Sequence, residues 1–122
     1  MLPRHDGFFL NAPVPKSLAE KLPARTLAYV GDSVFELDMR IRHILAGIPH
    51  GGEIHGSLVK IVCADNQARL FDLVFASLPD TEKELLKTWR NAKSPKKQLS
   101  TTRGAYAKST AFEAWVGFLF LT

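Results

Sequence analysis

Asp32 and Glu36 lie one turn apart inside an otherwise apolar helical pattern, Leu27-Ala28-Tyr29-Val30-Gly31-Asp32-Ser33-Val34-Phe35-Glu36-Leu37. Glu113 interrupts an almost wholly apolar stretch near the other end of the chain. A buried carboxylate without compensation is strongly unfavourable, so each must meet a cation, a donor network or water. Two of the three have a glycine close by: Gly31 precedes Asp32, and Gly117 follows Glu113 by one turn. A glycine inside a helix costs roughly 1 kcal/mol relative to alanine, so Gly31 marks either a tolerated weakness or the close passage of a second backbone. We favour the close passage, in which two glycine-marked helices cross and bring Asp32 near Glu113. Like charges at that range raise the pKa of one of them unless a divalent cation lies between. Mg²⁺, or Mn²⁺ in its place, takes one or two protein carboxylates and accepts phosphate oxygens as further ligands. Such a site can activate water against a phosphodiester. From the residues alone a structural role stays equally open for both acids. Glu36 has a plainer reading, since Glu36 with Arg40 and Asp38 with Arg42 are i,i+4 pairs worth roughly 0.2–0.5 kcal/mol each.

The elements that must position these groups are helices. Apolar residues at 27, 30, 34, 37, 41, 44 and 48 step by three and four, predicting a helix from about 24 to 46 that is ended by Gly47, Pro49, Gly51 and Gly52. Ahead of it, Ser17-Leu18-Ala19-Glu20 has the form of a capping box opening a short helix that Pro23 interrupts. A second long pattern runs from Ser57 to Leu78, with a bend or break expected near Asp65-Asn66. Thr81-Glu82-Lys83-Glu84 is another capping box, starting a helix that Ser94-Pro95 breaks. The polar stretch from about 94 to 104 reads as a surface loop. A last helix runs from about Tyr106 to the end, with almost no polar face and therefore a central position. No strand alternation or hairpin turn occurs, so the fold class is all-α. Residues 1–16, with Pro3, Pro13 and Pro15, read as an irregular N-terminal arm before a domain at 17–122.

A chain of 122 residues can form one domain without staples. Cys63, the one cysteine, cannot pair within the chain, and its apolar neighbours suggest a buried spectator thiol in a reducing compartment. His50 and His55 lack a partner at metal-ligand spacing, so zinc is not expected. With neither a signal peptide nor a spanning segment, the chain reads as cytoplasmic with no membrane partner. The net charge of +4 points mildly to a polyanion. More telling is the run Lys87, Arg90, Lys93, Lys96, Lys97, Arg103 and Lys108, which contains no acid. A solvated basic face and a nucleic-acid contact are both open from that run alone.

The stretch 27–37 resembles the signature helix of the ribonuclease III catalytic domain, in the form found in Mini-ribonuclease III. The stretch Tyr106-Ala107-Lys108-Ser109-Thr110-Ala111-Phe112-Glu113-Ala114-Trp115-Val116-Gly117-Phe118-Leu119-Phe120-Leu121 is similar to the final catalytic helix of that family. Gln67-Ala68 and Arg90-Asn91-Ala92-Lys93 match the Mini pattern in order and spacing, so the resemblance covers about residues 17 to 121. It implies an all-α endonuclease domain, a homodimer, and Mg²⁺-dependent hydrolysis of double-stranded RNA leaving a 5′-phosphate and a 3′-hydroxyl. It also implies that Asp32 and Glu113 are the catalytic, metal-holding acids. Two acidic positions of the larger ribonuclease III enzymes are Ala28 and Thr110 here, a reduced set that the Mini group shares. Arg90, Lys93, Lys96, Lys97, Arg103 and Lys108 are then the residues expected on RNA phosphates, and precursor ribosomal RNA, the 23S precursor above all, is the substrate implied by analogy. Phe35, Leu37 and Trp115 are candidates for a dimer interface, with core packing equally open. The family usually continues beyond the position of Leu121 into a further helix. The competing reading is a catalytically silent ribonuclease III-like module that binds RNA or the ribosome; a plain helical interaction domain with a basic face is a third.

Overall fold

Proline and glycine set most of the helix ends. In the computed structural model, which describes residues 12–47, 63–92 and 103–122, Pro15 precedes α1 (Lys16–Ala19) and Pro23 precedes α2 (Ala24–Leu45). Each proline has the φ near −60° that its ring imposes, and each supplies a carbonyl to the first turn while the following residues coil. Helix α2 ends at Ala46, and Gly47 takes the left-handed conformation, φ 81°, that suits glycine after a helix. Then come α3 (Ala64–Ser77), α4 (Asp80–Arg90, preceded by Pro79) and α5 (Arg103–Leu121). No strand occurs among the described residues, and the fold is all-α, as the sequence periodicity indicates. No helix among them is long and apolar enough to cross a membrane.

Helix α5 is the axis on which the others pack: α2, α3 and α4 all lie against it. It buries Ser109, Ala111, Phe112, Ala114, Gly117, Phe118 and Phe120, close to the all-round burial expected of a helix with so little polar surface. The core joins these to Leu27 and Phe35 of α2, Phe71 of α3, and Leu86 and Trp89 of α4. Aromatic rings fill the space between helices. Phe35 meets Phe112 edge-on at 5.2 Å, and Trp89, Trp115 and Phe118 form a cluster with centroids 5.6–6.5 Å apart. Phe35 and Trp115 are therefore packing residues of the fold, while Leu37 is 39 % exposed. The end of the arm is tied down as well, by the Val14 amide donating to the Leu121 carbonyl at 2.8 Å.

Several local expectations are corrected. Both capping boxes fail for the same reason, that a proline already opens the helix upstream of the supposed cap. Helix α1 starts at Lys16, so Ser17 lies within it and makes no capping bond. Helix α4 starts at Asp80, and the Thr81 hydroxyl donates instead to Glu82, 2.7 Å away. The last helix begins at Arg103 rather than Tyr106, taking Arg103 and Gly104 out of the expected loop. Cys63 is exposed, not buried, because it stands in extended backbone just before α3. The remainder of the 57–62 segment, His50, His55 and residues 94–102 lie outside the described residues.

The apolar stripe of α2 is only partly its buried face. The face against α5 runs through Ala24, Leu27, Ala28, Gly31 and Phe35, whereas Leu37 and Ile44 of the stripe are exposed. A repeat of 3.5 drifts about 20° per heptad against a helix of 3.6 residues per turn, so a stripe that begins in the core at Leu27 shifts steadily off the buried face, and Leu37, ten residues on, is exposed.

Candidate active site

Helices α2 and α5 cross with their backbones in contact, and glycine is what permits it. A Cβ on Gly31 would run into the Glu113 carbonyl oxygen and lie 2.8 Å from the Gly117 amide nitrogen. A Cβ on Gly117 would run into the Leu27 carbonyl oxygen and lie 3.1 Å from the Gly31 nitrogen. Both are blocked by backbone, which cannot swing aside as a flexible side chain would. The two glycines thus mark one contact from its two sides.

That contact fixes where the neighbouring acids go. Asp32 follows Gly31 on α2, and Glu113 sits one turn before Gly117 on α5; their carboxyl groups come within hydrogen-bonding reach of each other. Asp32 is exposed and Glu113 is partly buried, so the pair stands at an open edge of the helix crossing rather than inside the core. Burial foremost, then the hydrogen bond and negative charge of Asp32, push the Glu113 carboxyl up from its ordinary value of 4.5 to about 8. A bond from Gln67 acts in the opposite direction. Near neutral pH Glu113 therefore keeps its proton beside Asp32.

Gln67, on α3, completes the immediate surroundings. Its Nε2 donates to Glu113 Oε2 at 3.5 Å, and its Oε1 accepts from the Ser109 hydroxyl at 2.6 Å. No group of three or more His, Cys, Asp or Glu suited to a metal occurs among the described residues. Glu36 is not part of the pair: it binds the Arg40 guanidinium at 2.7 Å, as Asp38 binds Arg42 at 2.9 Å.

The basic residues differ in where the structure places them. Arg90, at the end of α4, donates to the Asn91 side chain at 3.3 Å. Arg103 is exposed at the start of α5. Lys108, expected on phosphate, is held by Asp72 of α3 at 2.8 Å, a tertiary ion pair that no local spacing in the sequence announces. Lys93, Lys96 and Lys97 lie outside the described residues. The structure brings together the two acids and the two glycines that the sequence singles out, whereas Gln67 enters only as a motif match, Ser109 only within the quoted final stretch, and Asp72 not at all.

The ribonuclease III domain model matches residues 25–122, from the second residue of α2 to the end of the chain. Mini-ribonuclease 3 of Symbiobacterium thermophilum is 35 % identical over 100 residues, covering 82 % of this chain and 77 % of that one. Mini-ribonuclease 3 of Thermosynechococcus vestitus is 34 % identical over 118 residues, with coverage of 95 % and 76 %. The counterpart from Staphylococcus aureus is 37 % identical over 98 residues, with coverage of 79 % and 73 %. The crystal structure of protein FN1578 from Fusobacterium nucleatum superposes with a TM-score of 0.71 over 83 % of this chain and 81 % of that one, a likeness of fold at 24 % identity. The glycine-locked crossing that pairs Asp32 with Glu113 thus falls within a matched domain, and the chain belongs to the ribonuclease III family, in its Mini-ribonuclease III branch.

Proposed function

We propose that this chain is an endoribonuclease that uses Mg²⁺, or Mn²⁺, held by Asp32 and Glu113 to hydrolyse phosphodiester bonds in double-stranded RNA, leaving a 5′-phosphate and a 3′-hydroxyl. The observation that carries the reading is the meeting of Asp32 and Glu113 at an open edge, with Glu113 pushed up to about 8. Two adjoining carboxylates, one of them pushed up first by burial and then by its neighbour, are a donor set that suits a hard divalent cation. Bound there, the cation supplies Lewis acidity that activates water and neutralises charge developing on the phosphate.

The chain's own residues supply the rest. Asp32, the exposed member, and Glu113, the partly buried one, would hold the cation, Glu113 doing so as the carboxylate. Arg90 and Arg103, with Lys93, Lys96 and Lys97, hold backbone phosphates, giving an affinity that falls with salt. Lys108 reaches a phosphate only by exchanging its Asp72 partner. Contacts of this kind read the A-form helix by shape rather than base sequence. The names of the relatives and the basic run support an RNA substrate, and precursor ribosomal RNA, the 23S precursor foremost, in the cytoplasm is the setting we infer. A homodimer would set two such sites on one duplex; the outward stripe of Leu37 and Ile44, 39 % and 52 % exposed and two turns apart on α2, supports it.

The test is incubation of a long RNA duplex and of its separated strands with the chain, in Mg²⁺ and in EDTA, with analysis of the product ends. We expect the duplex alone to be cut, in Mg²⁺ alone, to 5′-phosphorylated fragments. Retention of duplex RNA without cutting, in either Mg²⁺ or Mn²⁺ and across a range of salt, would instead favour the silent binding module.

A further inference from the structure

Gln67 is 1 % exposed, one of the most deeply buried side chains in the described structure, and the reading above gives it no task. A buried amide must have both ends satisfied, and its partners here also fix its direction. Ser109 and Glu113 stand one turn apart on the same face of α5 and present to α3 a hydroxyl donor and a carboxylate acceptor. The Ser109 hydroxyl donates to Oε1 at 2.6 Å, which leaves Nε2 facing Glu113 Oε2 at 3.5 Å, the long end of a hydrogen bond. With Glu113 ionised, as it must be to hold a cation, turning the amide over would set its carbonyl oxygen against a carboxylate oxygen. Ser109 therefore holds the polarity of Gln67, and Gln67 offers Glu113 a donor with no acceptor.

We propose that Gln67 is a positioning residue, its amide oriented by Ser109, that holds the Glu113 carboxylate against Asp32 so that a divalent cation meets a prearranged pair. The proposal rests on the metal-dependent reading of that pair. A carboxylate left to choose among rotamers would have to be ordered when the cation binds, and partners behind metal ligands typically change metal affinity or activity by 10–100-fold.

The experiment is calorimetric titration of Mn²⁺ into the RNA-free chain, comparing native protein with Gln67→Met, Ser109→Ala and the double variant, with thermal melts to confirm folding and RNA affinity measured in EDTA. We expect Gln67→Met to bind Mn²⁺ about tenfold more weakly, Ser109→Ala to lose less, and the double variant to bind like Gln67→Met, because Ser109 acts only through Gln67. RNA affinity in EDTA stays at the native value for all three. Folded variants that bind Mn²⁺ as tightly as native protein overturn the role of Gln67 while leaving the metal site standing. Losses that add in the double variant overturn the relay from Ser109. A native chain that binds no Mn²⁺ overturns the metal reading, and this proposal with it. If Gln67→Met does not fold, Ser109→Ala decides alone: weaker Mn²⁺ binding at unchanged RNA affinity supports the relay, and native Mn²⁺ affinity overturns it.

Discussion

Glu113 shows how much one residue's surroundings dictate. Its carboxyl is raised from 4.5 to about 8 chiefly by burial, with Asp32 adding to the effect. In the unfolded chain it ionises near 4.5, whereas in the folded chain it keeps its proton to about 8, so between those values the folded state binds more protons than the unfolded state. By linkage, folding is then favoured at low pH, and the advantage is lost as pH rises through that window. Glu113→Gln resembles the protonated acid at every pH and removes the slope. In the absence of divalent cations, the native melting temperature should fall between pH 5 and pH 9, relative to Glu113→Gln, with the two nearly equal at pH 5. Each kcal/mol corresponds to about 4 °C in a chain of this size. Parallel curves for the two proteins would show that Glu113 is not the raised group. The opposite kind of acid is Glu36, whose exposed pair with Arg40 contributes at most a few tenths of a kcal/mol.

At the scale of elements, the crossing of α2 and α5 carries the site, and its glycines are the most sensitive positions in it. Gly31→Ala should cost about 1–3 kcal/mol or more, the range for overpacking a tight contact, because the new methyl group meets the Glu113 backbone. The same change also moves Glu113 away from Asp32, so activity should fall further than stability accounts for. Gly104→Ala is the matched control: nothing lies within 4 Å of its Cβ position, and the change should be neutral or stabilising by up to about 1 kcal/mol. Denaturant unfolding of the two variants checks both signs, and equal destabilisation would contradict the close crossing.

Much of this was legible in the sequence. Helical periodicity without alternation announced the fold class, and a glycine beside an acid in an apolar helix has few physical reasons beyond close passage of another backbone. What was hidden depends on tertiary neighbours. The buried face of α2 departs from the apolar stripe beyond Leu27, because a three-and-four stripe does not say which part of a long helix its neighbours cover. The capping boxes at Ser17 and Thr81 matched a local pattern that upstream prolines made redundant. The engagement of Lys108 with Asp72, and of Gln67 with Ser109 and Glu113, joins residues 36 to 46 positions apart, which no local pattern encodes.

For the whole molecule, the outward stripe of α2 has a consequence that can be measured. Leu37 and Ile44 do not belong to the described core, so Leu37→Glu with Ile44→Glu should leave the domain folded. On the dimeric reading the pair of changes places like charges in a self-complementary interface and should convert a dimer to a monomer in sedimentation. An unchanged sedimentation coefficient would move the interface elsewhere. The account as a whole stands on the pairing of Asp32 with Glu113, and the most direct measurement of it is cleavage of a long RNA duplex in Mg²⁺ by native chain, Asp32→Asn and Glu113→Gln, each shown to be folded and to bind RNA. Cutting by the native chain and a loss of at least about 100-fold in both variants are expected; cutting by either variant at the native rate would overturn the pairing.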